Sequence, residues 1–395
     1  MRAETTDLLH ALKRDLDGAE VPNAATIVRE SNIAELDREK IAPHALELAA
    51  RTGRLDAERA ERRQRILTKR TVLASEAAAI AGLADGVGAR CLFLRGFGLQ
   101  HHYPAGYVRQ FNDLDVAVAT EPELVHLLHV LEQRGYYASR LPVLRRNLSG
   151  RGGERWLILG LNRRTDELDE PIILDLYVGG PSITRQTHLW LPEELFDTPS
   201  IALAEGAALP VLNATWNFVS LLAECFERER LLVRDLLDFD RIVHAGVDWV
   251  EATAEAERMS LSGQARRVAA ALAASRLDDA AAQVSSAFGT GAARPVHLIL
   301  GHLLTRLRRE SAARAPIRLG YVAVEPVLER VETAWPELAL GLVRRLDART
   351  AYDLGLSTYL VRAATQRQTM RVLEREWNPR LRPLVDESEL EEATW

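Results

Sequence analysis

Two aspartates, Asp113 and Asp115, stand two positions apart at the start of an apolar run that ends at Val118. Apolar and other residues alternate here, which is the pattern of a half-buried β-strand. Alternate residues of a strand point to the same face, so the two carboxylates are expected side by side. Like charges at that distance disfavour each other's ionised form unless a cation lies between them. Mg²⁺ takes one or two protein carboxylates and fills its shell with water and phosphate oxygens, so the pattern predicts a metal-dependent phosphate site.

A glycine turn upstream supports this prediction. The apolar residues 91–94 form a predicted strand, and Arg95, Gly96, Phe97 and Gly98 follow it. A strand that ends at glycine lets backbone N–H groups approach an anion, and arginine adds a charge-assisted contact. Arg95, the Gly96 backbone and Arg109 are therefore predicted to bind phosphate. The structural alternative is that Asp113 opens an Asx turn and Asp115 pairs with Arg109.

A third carboxylate follows at Asp175. The run 171–178 reads as a strand with Ile173, Asp175 and Tyr177 on one face. The preceding run 156–161 is also strand-like, and the acidic residues 165–171 between them read as a turn. Aspartate is disfavoured in strands, so its place here needs a reason. We expect a hairpin that brings Asp175 beside the strand of Asp113.

The order of these motifs resembles a known family. The elements are Leu94-Arg95-Gly96, Tyr103-Pro104, Arg109, Asp113-Leu114-Asp115, Gly135-Tyr136 and Leu174-Asp175-Leu176. Over residues 35–244 the chain is similar to bacterial nucleotidyltransferase proteins of the polymerase-β superfamily, of the type often found in natural-product gene clusters. Relatives usually have Lys where this chain has Arg95, and a small residue where it has Phe97.

The resemblance implies an activity and a set of ligands. Asp113, Asp115 and Asp175 would hold two Mg²⁺ ions, and an NMP group would pass from an NTP, with ATP expected, to an acceptor. A small molecule or peptide in a biosynthetic pathway is the favoured acceptor. Two alternatives stay open: a toxin-like enzyme that modifies tRNA or protein, and a binding or scaffold protein without turnover. Arg95 and Phe97 favour the scaffold.

The rest of the chain predicts an α+β fold. A small mixed nucleotidyltransferase sheet flanked by helices is expected over residues 86–205, after a helical segment at 1–85. Residues 206–250 are predicted as helices that pack on this core, and 251–395 as a large C-terminal all-helical domain. A hydrophobic content of 47% in 395 residues suffices for a large core.

Charge and cysteine content bear on partners and location. A net charge of −6 and a pI near 6.0 disfavour a broad nucleic-acid-binding face. The arginine-rich run 59–70 is interpreted as a solvated helix face. Two cysteines, no signal peptide and no apolar run of membrane-spanning length predict a cytoplasmic protein without a membrane partner. The oligomeric state is not predictable from these features.

Two further groups receive structural interpretations. His101 and His102 follow the glycine turn and are expected to cap or pack a short helix rather than bind phosphate. Asp235 and Asp238 share one face of a later helix, where a solvated or arginine-paired role is expected rather than a metal role.

Overall fold

The computed structural model describes residues 3–19, 21, 33–51, 55–104, 107, 109, 111–138, 143–146, 155–180, 189–204, 207–226, 231–259 and 261–290. Within these residues the chain forms one mixed sheet with helices on both faces. The predicted α+β class is therefore confirmed. Residues 291–395, which include most of the predicted C-terminal helical domain, lie outside the described part.

Eight strands are described: β1 (Cys91–Leu94), β2 (Leu114–Val118), β3 (Tyr137–Ala138), β4 (Val143–Arg146), β5 (Arg155–Arg163), β6 (Ile172–Val178), β7 (Ser200–Ala204) and β8 (Ala207–Val211). They are ordered β3-β5-β6-β2-β1-β8-β7, and β4 pairs with β5 outside this path. The pairs β2–β6 and β1–β8 are parallel, while the other neighbours are antiparallel. The strands β2 and β6 thus lie inside the sheet.

The described helices are α1 (Ala3–Leu16), α2 (Ile33–Arg38), α3 (Ala42–Arg51), α4 (Ala57–Gly86), α5 (Arg95–Gln100), α6 (Glu121–Gln133), α7 (Glu194–Asp197), α8 (Ala214–Phe226), α9 (Val233–His244), α10 (Trp249–Arg258), α11 (Ser262–Ala274) and α12 (Asp278–Phe288). Within the described residues, none of these helices combines the length and the apolar character that crossing a membrane requires.

The strand β2 is buried along its whole length, although its sequence alternates like a half-buried strand. Leu114 and Val116 pack into a core with the later part of α4 and with α6. Ala117 packs on the opposite face, in a core that contains α8 and α9. A strand covered on both faces is buried at every position. Asp115, which alternates with Val116, therefore lies on the face towards α8 and α9.

Local signals define the helix that follows β2. Thr120 is the N-cap of α6, and its hydroxyl accepts a hydrogen bond from the backbone N–H of Glu123 at 3.4 Å. Pro122 occupies the first turn, where its missing N–H costs nothing. Gly135, with φ of +91°, ends the helix. The predicted helix and both of its ends are confirmed.

The sheet extends further than predicted. The strand β8 lies beyond the expected core boundary at residue 205, in a stretch predicted as helical, and Val211 pairs with Phe93 of β1. Its sequence is short and contains Pro210, which is disfavoured within sheets, so the local pattern does not indicate a strand. The described elements before residue 86 are helices.

Candidate active site

Two neighbouring strands position the three aspartates. β2 and β6 run parallel, and their register places Asp115 directly opposite Asp175. Asp113 precedes β2 by one residue and is half-buried, as is Asp175. Partners in a strand pair lie about 5 Å apart, and residues two positions apart share a face. The predicted hairpin thus exists, because β5 and β6 pair antiparallel and β6 lies beside β2.

Asp115 is held by two donors. Its side chain is 3% exposed, and its Oδ1 accepts hydrogen bonds from the Tyr177 hydroxyl at 2.6 Å and from Arg95 Nη1 at 3.0 Å. The Arg95 guanidinium also lies 5.8 Å above the centre of the Tyr177 ring. Asp115 therefore pairs with Arg95, whereas the structural alternative paired it with Arg109. Tyr177 was not predicted as a site residue, although its position on the Asp175 face gave the signal.

The electrostatics of Asp115 reflect this crowded, buried position. Burial raises the pKa of the Asp115 carboxyl to about 7, and the negative charges of Asp113 and Asp175 add to the rise. The cation of Arg95 and the Tyr177 hydrogen bond work in the opposite direction. The three carboxylates thus act on one another, and a further cation among them would be favoured.

The donor set fits a divalent cation in its chemistry. Three carboxylates supply hard oxygen ligands, which Mg²⁺ prefers. The described residues nevertheless contain no cluster of three or more His, Cys, Asp or Glu arranged to hold a metal ion as they stand. Arg95 donates a hydrogen bond to Oδ1 of Asp115, which is one of the candidate ligand atoms. Metal binding at this oxygen would compete with the guanidinium.

The glycine turn after β1 forms the short helix α5. A Cβ on Gly96 would lie 2.6 Å from Cβ of Phe111, so glycine is required here for the packing of Phe111. Arg95 has φ of +49°, which costs a non-glycine residue on the order of 1–3 kcal/mol. Backbone strain of this kind often accompanies functional sites. The predicted phosphate contact of the Gly96 backbone stays a prediction.

Phe97 lies on the opposite face of the sheet from the aspartates. Its ring is buried, 4.5 Å from the ring of Phe111 and 6.4 Å from that of Phe93. These side chains belong to the core with α4 and α6 or pack against it. Phe97 is therefore a core residue that does not fill the space beside the carboxylates.

The two histidines after the glycine turn have structural roles. The rings of His101 and His102 lie 3.8 Å apart, and Nε2 of His102 lies 3.1 Å from the side-chain nitrogen of Asn217 in α8. Burial lowers the pKa of His102 to about 3. These neutral, packed rings agree with the sequence-based interpretation.

Arg109 makes a buried ion pair with Asp238 of α9. Its Nε and Nη2 donate to the two carboxylate oxygens, each at 2.7 Å, and both side chains are at most 2% exposed. The Tyr103 hydroxyl donates to the same carboxylate at 2.6 Å. The arginine-paired role expected for Asp238 is found, in a buried rather than solvated form. A phosphate contact by Arg109 stays a prediction that requires this pair to open.

A cleft of about 520 Å³ is lined by Asn112 and Ile173, which are close in sequence to Asp113 and Asp175, although none of the three aspartates lines it. One wall is a basic face of α4 with Arg62, Arg65 and Lys69, and the other is the acidic turn between β5 and β6. Nζ of Lys69 and Oε2 of Glu170 join the walls at 3.0 Å. Ile173, which shares its strand face with Asp175, lines the cleft and is 40% exposed. The arginine-rich run therefore borders this cleft.

Comparisons with known proteins identify relatives. A family model described as an uncharacterised nucleotidyltransferase matches residues 21–278. Among solved structures, an antigenic nucleotidyltransferase-like protein from Paracoccidioides brasiliensis is 12% identical with a TM-score of 0.31, over 56% of this chain and 93% of that chain. JHP933 from Helicobacter pylori is 13% identical with a TM-score of 0.29, over 56% of this chain and 89% of that chain. No curated protein matches the chain.

Proposed function

The chain belongs to the family of uncharacterised nucleotidyltransferases, and from this premise we propose that it transfers an NMP group from an NTP to a small-molecule or peptide acceptor. The observation that carries the proposal is the register of Asp115 opposite Asp175, with Asp113 at the start of the same strand. Mg²⁺ is the proposed metal, ATP the proposed nucleotide, and a biosynthetic pathway the proposed context.

The proposed mechanism assigns each site residue a task. Asp113 and Asp115 would hold two Mg²⁺ ions, one on the nucleotide side and one on the acceptor side, and Asp175 would help to hold the second. Bound there, the metal would neutralise phosphate charge and make the acceptor oxygen a better nucleophile for in-line attack on the α-phosphorus. Arg95 and the Gly96 backbone would stabilise the charge that develops on the leaving pyrophosphate. Arg109 would contribute there once its pair with Asp238 opens.

The cleft beside Ile173 is the proposed path of the acceptor. Its volume of about 520 Å³ lies in the range of small-molecule sites, roughly 300–1,000 Å³. Ile173 lines the cleft and shares a strand face with Asp175, so an acceptor that enters through the cleft would approach the face that carries Asp175. The charged walls favour a polar acceptor. The volume and the charged walls of the cleft together support a small molecule or a short peptide over nucleic acid as the acceptor.

A labelling experiment tests the proposal. The protein is incubated with Mg²⁺, NTPs labelled at the α-phosphate and cell lysate, and labelled products are identified. Asp175→Asn should keep most NTP affinity but lose transfer, because the proposed role of Asp175 lies mainly in the transition state. Asp197→Asn, which alters an exposed carboxylate, is the matched control. Equal transfer by the parent and an Asp113→Asn, Asp115→Asn double variant would exclude this site.

One observation favours a second candidate, a binding or scaffold protein without turnover. The guanidinium of Arg95 already compensates the buried charge of Asp115, which is the task assigned to the metal. The scaffold predicts no transfer to any acceptor and partner binding that is indifferent to Asp175→Asn. A cytoplasmic location is proposed for either candidate, and the buried thiols of Cys91 and Cys225, which form no disulfide with each other, support it.

A further inference from the structure

The side chain of Arg95 lies between two carboxylates from different elements. Nη1 is 3.0 Å from Oδ1 of Asp115 in β2, and Nε is 4.0 Å from Oε2 of Glu224 in α8. The first contact is a hydrogen bond, and the second is about 1 Å longer than one. A small rotation of the guanidinium would therefore shorten the contact with Glu224 as it lengthens the contact with Asp115.

A second cation, the guanidinium of Arg234, lies near the other carboxylate oxygen of Glu224. Oε1 lies 3.7 Å from Nη2 of Arg234, and Nε of Arg234 lies 3.8 Å from Oδ2 of Asp238. The Glu224 side chain is 19% exposed, so it is partly desolvated. Charges of alternating sign thus run from Asp115 through Arg95, Glu224 and Arg234 to Asp238. Glu224 is the one charged residue of helix α8, which was the sequence signal for this site, and it was missed.

A guanidinium and a divalent cation compete for Asp115. The nearly buried carboxylate requires a positive partner, because an uncompensated buried charge is costly. A metal ion on the same oxygen would repel a guanidinium at about 4 Å, because both are cations in a partly buried environment. Both therefore cannot hold the oxygen at once.

We propose that Arg95 is an exchangeable counter-ion, which holds Asp115 in the metal-free protein and moves to Glu224 when a divalent cation binds the aspartates. Glu224 is then a positioning residue, because it acts on the metal site through Arg95. The inference rests on the proposed function only in requiring that the aspartates bind a divalent cation. It does not require that nucleotidyl transfer follows.

The test measures binding of Mn²⁺ alone to the full chain by calorimetry and by electron paramagnetic resonance. Arg95→Gln should tighten Mn²⁺ binding by about tenfold, since the competing charge is removed. Glu224→Gln should weaken it by about fivefold, since the displaced guanidinium loses its partner. Glu257→Gln removes an equal charge from an exposed position on α10 and should leave the affinity unchanged.

The double variant Arg95→Gln, Glu224→Gln decides the inference. It should bind Mn²⁺ as tightly as Arg95→Gln alone, because the proposed effect of Glu224 on the metal site acts only through Arg95. The exchange would be overturned if Glu224→Gln weakened Mn²⁺ binding as much in the Arg95→Gln background as in the parent. It would also be overturned if neither the parent nor Arg95→Gln bound Mn²⁺. If Arg95→Gln does not fold, a Glu224→Gln protein with parental affinity overturns it, since that variant keeps Arg95 and all three aspartates.

The two proposals fail in different ways. If the effects of Arg95→Gln and Glu224→Gln on Mn²⁺ affinity depend on each other but no labelled product forms, the exchange is supported and nucleotidyl transfer is refuted. Labelled product with uncoupled affinities would support transfer and refute the exchange.

Discussion

The buried pair of Arg109 and Asp238 offers a direct test of whether Arg109 is structural or binds nucleotide. Asp238→Asn preserves the shape of the side chain but removes its charge. Arg109 would then keep its positive charge at 2% exposure, and Arg234, 3.8 Å from the same side chain, would lose a neighbouring anion. The variant therefore leaves two cations near each other in a desolvated environment.

The expected loss of stability follows from these contacts. Removing one partner of a buried ion pair costs about 3–5 kcal/mol, because the remaining charge stays buried without compensation. An asparagine oxygen at the place of Oδ1 can still accept from the Tyr103 hydroxyl and from Nε of Arg109, so the hydrogen bond from Nη2 to Oδ2 is the one that is lost, together with the charge. Total stabilities of domains are about 5–15 kcal/mol, so the variant should lose a large share of its free energy of unfolding.

Urea unfolding followed by circular dichroism measures this loss, and calorimetry measures NTP affinity of the folded variant. The control is Asp197→Asn, which alters a pair between Arg90 and a carboxylate that is 54% exposed. That change should cost at most about 1 kcal/mol. A loss below about 1 kcal/mol for Asp238→Asn would refute the reasoning from burial. If NTP affinity rose in the folded variant, Arg109 would belong to the nucleotide site, because the variant releases its guanidinium from Asp238.

Three further changes test other contacts. Glu76→Gln should lower the free energy of unfolding in urea by about 2 kcal/mol, because the carboxylate accepts hydrogen bonds from Arg134, Tyr136 and Arg163. An unchanged midpoint of urea unfolding would contradict this. Burial lowers the pKa of His102 to about 3 in the folded protein, below its unfolded value of about 6.5. The contribution of neutral His102 to the free energy of unfolding is therefore present above about pH 6.5 and is lost as the pH falls, at about 1.4 kcal/mol per pH unit. The free energy of unfolding of His102→Gln should therefore change less with pH than that of the parent. Parallel curves of unfolding free energy against pH for the two proteins would argue against this assignment. Gly98→Ala places a Cβ 2.7 Å from the Phe93 carbonyl oxygen and should cost about 1–3 kcal/mol in thermal unfolding, whereas Gly82→Ala meets nothing within 4 Å and should not destabilise.

The strands that carry the aspartates were predictable because their signals are local. Alternation of residue types identified β2 and β6, and the acidic turn between 165 and 171 indicated the hairpin. Capping residues defined α6. The strands β3, β4, β7 and β8 were missed because they are short, and their formation depends on pairing with distant strands. A two-residue strand such as Tyr137–Ala138 has no periodicity to detect.

Partners of charged residues were less predictable than the residues themselves. The sequence indicated Arg95, Arg109 and Asp238 as charged residues with partners, but not which pairs they form. Arg109 and Asp238 are 129 positions apart, and Arg95 and Glu224 come from different elements. Such pairs are determined by the packing of α8 and α9 on the sheet. Residue types and local spacing contain no information about that packing.

The two departures from the family pattern, Arg95 and Phe97, do not bear equally on whether the site is active. Phe97 packs on the face that contains α4 and α6, and Asp115 faces α8 and α9, so the ring does not close the candidate site. The scaffold alternative then depends on Arg95 alone. The planar fork of arginine can reach Asp115, Tyr177 and Glu224 from one position, which a single ammonium group does not do. Whether the protein turns over therefore depends on the competition between this guanidinium and a divalent cation for one oxygen of Asp115.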